Sequence, residues 1–175
     1  AFTVTDRVSN QATTPVVLSH YGQVVKAGLN EAGSTWVNFH GPQSFLQGQH
    51  LTLEPTDLRD DHGGLKELTG QGGWAGMSQR YFMVALVPPA TQRHTVAYRH
   101  IPGGEAGFTS VTLRAEPITV APGTSAEVVT QVYAGPLQQS VLQQVSPELV
   151  YAVDYGWFHL IAAPFFHALV WIHGW

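Results

Sequence analysis

Over residues 1 to about 134, apolar and polar positions alternate in short runs closed by Gly, Pro, Asn and Asp clusters. That is the spacing of an antiparallel sandwich and not of strand–helix–strand units. The runs predict strands at 2–8, 16–21, 35–39, 81–87, 94–99, 108–113 and 125–134, with Thr, Val, Tyr and Phe enriched as a pleated surface prefers. In 108–113, Val111 and Leu113 share one face and Ser110 and Thr112 the other, the signature of a half-buried strand. The run from Tyr81 to Val87 has no polar face, which predicts a central strand covered on both sides. Turns fall at Asn30-Glu31-Ala32-Gly33, Val87-Pro88-Pro89, Pro102-Gly103-Gly104 and Ala121-Pro122-Gly123. After Gly135-Pro136 the period changes. Leu137, Val141, Leu142 and Val145 recur at helical spacing among Gln138, Gln139, Gln143 and Gln144, predicting a helix near 137–145 with Pro136 at its start and Pro147 past its end. Residues 150–153 read as one more extended piece.

Composition narrows the function. With 175 residues, 44% of them apolar and 11% charged, the chain is long enough for one packed domain and too apolar to be disordered. Eight Lys and Arg stand against twelve Asp and Glu, so no basic footprint for a phosphate backbone exists and nucleic acid is not expected as a partner. The absence of Cys excludes thiolate metal sites, iron–sulfur clusters and cysteine nucleophiles.

Charge is unevenly placed. Arg114 is the last basic residue, and the chain ends in an apolar stretch, 157–175, interrupted by His159, His167 and His173. Segments flanking a membrane on its cytoplasmic side carry an excess of Lys and Arg, so this basic-free approach argues for the opposite side. Pro164 and the three histidines break the tail too often for a span of about 20 apolar residues. Residues 154–175 therefore read as an interfacial amphipathic helix, and 1–153 as the sandwich. On a wheel of 100° per residue the three histidines fall within an arc of about 120°, a weak polar face that gains charge as pH falls. Trp157, Phe158, Leu160, Ile161, Phe165, Leu169, Trp171, Ile172 and Trp175 would lie at the membrane interface, making lipid the expected partner. The chain starts with Ala1, not Met, and stops without a polar tail, so it reads as a fragment of something longer.

Other motifs point less far. Gly70-Gln71-Gly72-Gly73-Trp74-Ala75 has the letters of a dinucleotide fingerprint but no parallel βαβ unit around it, so it reads as a tight turn carrying an anchoring Trp. Gly76-Met77-Ser78-Gln79 opens like a nucleophile elbow, but Arg80 stands where the strained turn needs Gly. Asp57, Asp60, Asp61 and His62 lack the alternation of a calcium loop and read as a solvated acidic loop. No His pair has zinc-ligand spacing. No catalytic, metal or cofactor-binding residue is assigned. The alternative is a soluble carbohydrate-binding module or aldose-epimerase-like sandwich, with His94 or His100 and Glu105 or Glu116 as acid and base.

Two stretches carry a resemblance. Gly72-Gly73-Trp74-Ala75-Gly76-Met77 followed by Gln79, Tyr81-Phe82 and an apolar run to Pro88 resembles the periplasmic domain of the bacterial membrane protein insertase family YidC. So does Val153-Asp154-Tyr155-Gly156-Trp157, followed by Pro164-Phe165 and Trp171-Ile172-His173, which is similar to the junction between that domain and the second transmembrane helix. The stretch from Ala27 to Leu68 carries the least of it. The resemblance implies a twisted antiparallel β-sandwich of the galactose-mutarotase-like supersandwich kind with C-terminal α-helices. It also implies placement on the periplasmic side of the bacterial inner membrane, and a parent that inserts and folds membrane proteins, alone or with the Sec translocon, as a non-enzyme and without cofactor. Nascent membrane proteins and Sec components would be partners through that parent. This chain would be outer platform and interfacial anchor, not the insertion site. In this resemblance Gly72, Gly73, Trp74, Tyr81, Phe82, Asp154, Tyr155, Gly156 and Pro164 have structural roles. Asp154 would stand near the first turn of the tail helix, where a carboxylate offsets exposed N–H groups.

Overall fold

The twelve strands between residues 1 and 136 sort by which face each side chain can bury. In a computed structural model that describes residues 1–27, 41–60, 64–79, 81–103 and 107–153, the strands are β1 (Phe2–Ser9), β2 (Val16–Leu18), β3 (Tyr21–Ala27), β4 (Gly41–Leu46), β5 (Gln49–Thr52), β6 (Leu65–Gln71), β7 (Trp74–Gln79), β8 (Phe82–Val87), β9 (Arg93–Ile101), β10 (Phe108–Ala115), β11 (Ile118–Val120) and β12 (Ser125–Pro136). Helix α1 (Pro55–Asp60) follows β5, and α2 (Gln139–Val145) and a 3-10 helix (Pro147–Ala152) follow β12. A six-stranded sheet runs β1-β12-β8-β7-β4-β5, and a four-stranded sheet runs β3-β10-β9-β6; β11 and β2 form a short ribbon. Every pairing among the described strands is antiparallel. The two sheets face each other across a common core, which makes a β-sandwich.

Side-chain alternation decides what lies between the layers. Leu46, Ala75, Met77 and Leu86 from the large sheet meet Val96, Tyr98, Val111 and Leu113 from the small one. A buried polar link in this layer joins the Tyr98 hydroxyl to Ser44 Oγ. The opposite face of the large sheet bears Phe45, Trp74, Met83, Ala85, Val87 and Tyr133, and α2 and the 3-10 helix cover it with Leu142, Leu149 and Ala152. The middle of the large sheet is thus buried on both faces, and β4 has no exposed residue.

Where strands were read from the pattern, most lie where expected, with differences that have physical causes. The run 16–21 is two strands, because at Ser19 and His20 the chain bends: Ser19 Oγ donates to the Ala115 carbonyl and His20 meets Asp6 at 2.8 Å. The strand expected at 35–39 lies outside the described residues. The stretch expected to be extended at 150–153 is mostly helical. Pro147 opens a 3-10 turn, and Leu149 and Ala152, three apart, bury the same side of it. Asp57 and Asp60 sit on α1, not in a loop, with Leu58 of that helix fully buried; Asp61 and His62 lie outside the described residues. The central strand β8 is covered on both sides only in part: Phe82 and Val84 are 62% and 37% exposed and line an open cleft beside Val24 and Val25 of β3.

Candidate functional site

The strand β6 belongs to the small sheet and β7 to the large one, so the chain must turn a corner between them. Gly72 and Gly73 make it, with φ of 62° and 75°. A Cβ at Gly73 would lie 1.9 Å from the Phe45 carbonyl oxygen, so at this position only hydrogen fits. The dinucleotide-like letters are therefore a corner between sheets, as the turn reading had it.

The corner delivers Trp74 to the start of β7, directly across from Phe45 on β4. Trp74 is fully buried, and its indole Nε1–H donates to the Glu148 carbonyl of the 3-10 helix at 2.8 Å. Phe45 stacks on Tyr151 with ring centroids 4.6 Å apart and planes 2° from parallel. At the other end of the helical cover, the Leu137 N–H donates to the Tyr81 carbonyl at 2.7 Å, and the Tyr133 hydroxyl donates to the Pro136 carbonyl at 2.6 Å. Burial pushes the Tyr133 hydroxyl above its ordinary pKa, so it stays a donor. The cover is thus tied at both ends, and the chain passes from it at Val153 into residue 154.

Of the residues singled out in the sequence, Gly72, Gly73 and Trp74 form one cluster at this seam. Tyr81 contributes its backbone, its ring being 67% exposed. Phe82 stands apart, lining an open cleft with Val24, Met77 and Val84. Asp154, Tyr155, Gly156, Pro164 and the interface set from Trp157 to Trp175 lie outside the described residues. Phe45, Glu148 and Tyr151 were missed. The i, i+3 spacing of Glu148 and Tyr151 after Pro147 was a usable signal, whereas nothing local marks Phe45.

Among the described residues the acid–base alternative finds no paired site. His94 is fully buried on the inner face of the small sheet, with Nδ1 3.2 Å from the Gln92 carbonyl. Glu116 points to the outer face, where it meets Arg93 at 3.2 Å. His100 is on the inner face too, six residues along β9 and so about 20 Å from His94. Glu105 lies outside the described residues. Among the described residues no group of three His, Asp or Glu could hold a metal ion, and no helix is long and apolar enough to cross a membrane.

These features define a class: an antiparallel sandwich whose larger sheet is closed by a C-terminal helical cover, with a glycine corner and a buried Trp fixing the cover's exit. The family model for the YidC periplasmic domain matches residues 1–168, and the chain belongs to that family. It is 32% identical to the membrane protein insertase YidC of Maricaulis maris over 99% of this chain and 30% of that protein. It is 36% identical to the insertase of Pseudomonas savastanoi pv. phaseolicola over 95% of this chain and 29% of that protein, and 33% identical to that of Dechloromonas aromatica over 95% and 30%. The chain therefore spans about 30% of the length of the relatives it matches.

Proposed function

We propose that this domain is the periplasmic platform of a membrane protein insertase, standing on the outer side of the bacterial inner membrane, with residues 154–175 as its interfacial anchor. Sandwich and anchor are then two parts, 1–153 and 154–175, and neither performs chemistry: the platform orients the polypeptide that enters the membrane. The observation that carries this reading is the helical cover, which ends against the large sheet at Val153 and is followed at once by an apolar, Trp-rich stretch without Lys or Arg. Membership of the periplasmic-domain family supports the side of the membrane. Insertion of nascent membrane proteins, alone or with the Sec translocon, belongs on this reading to the parent protein.

The test is flotation of the 175-residue chain with vesicles of phosphatidylethanolamine and phosphatidylglycerol, beside a version ending at Gly156. Flotation lost on truncation is the expected result, with the same loss when Phe165, Trp171 and Ile172 are replaced by Ser. Equal flotation of both versions would overturn the anchor.

A further inference from the structure

The two side chains that hold the 3-10 helix are neighbours on the sheet, and the two positions they hold are neighbours on the helix. Phe45 and Trp74 face each other across the β4–β7 ladder. Glu148 and Tyr151 are three residues apart, and in a 3-10 helix residues i and i+3 eclipse. Trp74 grips the backbone of the first by a hydrogen bond at 2.8 Å, and Phe45 grips the ring of the second by stacking at 4.6 Å. Between the grips, Leu149 is fully buried and Ala152 nearly so. A six-residue 3-10 helix has poor hydrogen-bond geometry of its own and is longer than such helices usually run, so its orientation depends on what it is tied to.

We propose that Trp74 and Phe45 form a two-jawed lock on residues 147–152, fixing the orientation of the 3-10 helix on the large sheet and the direction in which the chain leaves Val153. Trp74 supplies the directional element. A hydrogen bond constrains rotation of the helix about its axis, which apolar contact alone does not. Gly73 serves the lock indirectly, since only its missing Cβ lets the corner run against the Phe45 backbone and bring both jaws into one row. With the jaws closed, the 3-10 helix moves with the sandwich; with them open, the helix still adheres through Leu149 but swivels. The consequence for a membrane rests on the anchor reading above. The lock itself does not, and its test is made in solution without lipid.

The chain has no Cys, so Thr3→Cys and Glu148→Cys introduce the only two thiols, both at exposed positions, for nitroxide labels. Double electron–electron resonance should give one narrow distance distribution in the otherwise unaltered chain. Trp74→Phe, which keeps an aromatic ring of smaller size and removes the N–H, should broaden it more than Tyr151→Ala does. It should also speed exchange of the Leu149 amide by roughly fivefold, the population change that loss of one hydrogen bond brings. Tyr151→Ala, at a residue 54% exposed, opens the other jaw and should broaden the distribution as well. Leu113→Ala, in the layer between the sheets, is the control: it should lower Tm and leave the width unchanged. A Trp74→Phe distribution as narrow as the parent's, or a Leu113→Ala distribution as broad as that of Trp74→Phe, would overturn the lock and leave Trp74 as packing alone.

Discussion

The large sheet is packed on both faces, and the two packings are built differently. On its inner face, β4, β7 and β8 meet another sheet, and the contacts join strands far apart in sequence through mostly aliphatic side chains, Leu46, Met77 and Leu86 against Val96, Val111 and Leu113, with the Tyr98–Ser44 bond among them. On its outer face the partners are α2 and the 3-10 helix, contiguous in sequence, and the sheet offers them three aromatics, Phe45, Trp74 and Tyr133, beside Met83, Ala85 and Val87. The first packing is closed by many interchangeable contacts. The second is closed by few specific ones, and an aromatic with a polar handle is suited to that, since it buries area and aims a donor at once. The inner layer holds the two sheets together, and the outer one holds the 3-10 helix from which the chain passes into residue 154.

The sharpest way to break that comparison is to remove one anchor from each layer. Trp74→Ala should cost about 3–5 kcal/mol and Leu113→Ala about 2–5 kcal/mol, because both side chains are buried and leave cavities. Similar totals should hide different distributions of loss. Hydrogen exchange should show the amides of Ser146, Leu149 and Val153 opening at low free energy in Trp74→Ala while β9 and β10 stay protected. In Leu113→Ala all of them should weaken together. If the two variants give the same exchange map, the layers are one cooperative unit and the comparison fails.

A smaller effect isolates the corner. Gly73 and Gly123 both have positive φ, 75° and 71°, but a Cβ at Gly123 meets nothing within 4 Å. Gly123→Ala should therefore lose only the left-handed strain, about 1–2 kcal/mol. Gly73→Ala must bear the same strain and also push the Phe45 carbonyl away. Urea unfolding should place its midpoint clearly below that of Gly123→Ala; coincident midpoints would mean that the corner relaxes freely.

What was legible in the sequence divides along the same line. The strands β9 and β10 of the small sheet and β1, β8 and β12 of the large one have apolar alternation or unbroken apolar runs, and these reported themselves; β3 and β6 of the small sheet did not. The strands β4 and β7 did not, because a strand buried on both faces by close neighbours is built from small and polar residues: Gly41, Gln43 and Ser44 in one, Ala75, Gly76 and Ser78 in the other. Their burial comes from what covers them, which no local window records. The helix α2 was visible from its period, but the 3-10 helix was not, since Leu149-Val150-Tyr151 has the β-rich composition of a strand. At the site, Gly72, Gly73 and Trp74 were legible as a corner with an anchor. Phe45, Glu148 and Tyr151 acquire their roles only through a pairing between residues 45 and 74 that the sequence does not display.

The smallest predicted effect separates the layers by pH. His94 lies on the inner face of the small sheet with Nε2 buried and without a partner, and burial lowers its pKa, the hydrogen bond to the Gln92 carbonyl opposing only in part. The neutral ring is thus the form the fold accepts. Above the unfolded value of about 6.5 both states carry neutral imidazole and pH has no leverage through this group. Below it the unfolded chain takes up a proton that the folded one refuses, so stability is lost as pH falls toward the folded value, by at most about 1.4 kcal/mol per pH unit. The decisive quantity is the difference between the chain and His94→Gln. Denaturant unfolding across mildly acidic pH should show the unaltered chain losing stability faster than His94→Gln, with exchange in β9 and β10 rising before exchange in α2. Parallel pH profiles for the two proteins would mean that water or rearrangement already reaches His94, and that the inner layer is no drier than the outer.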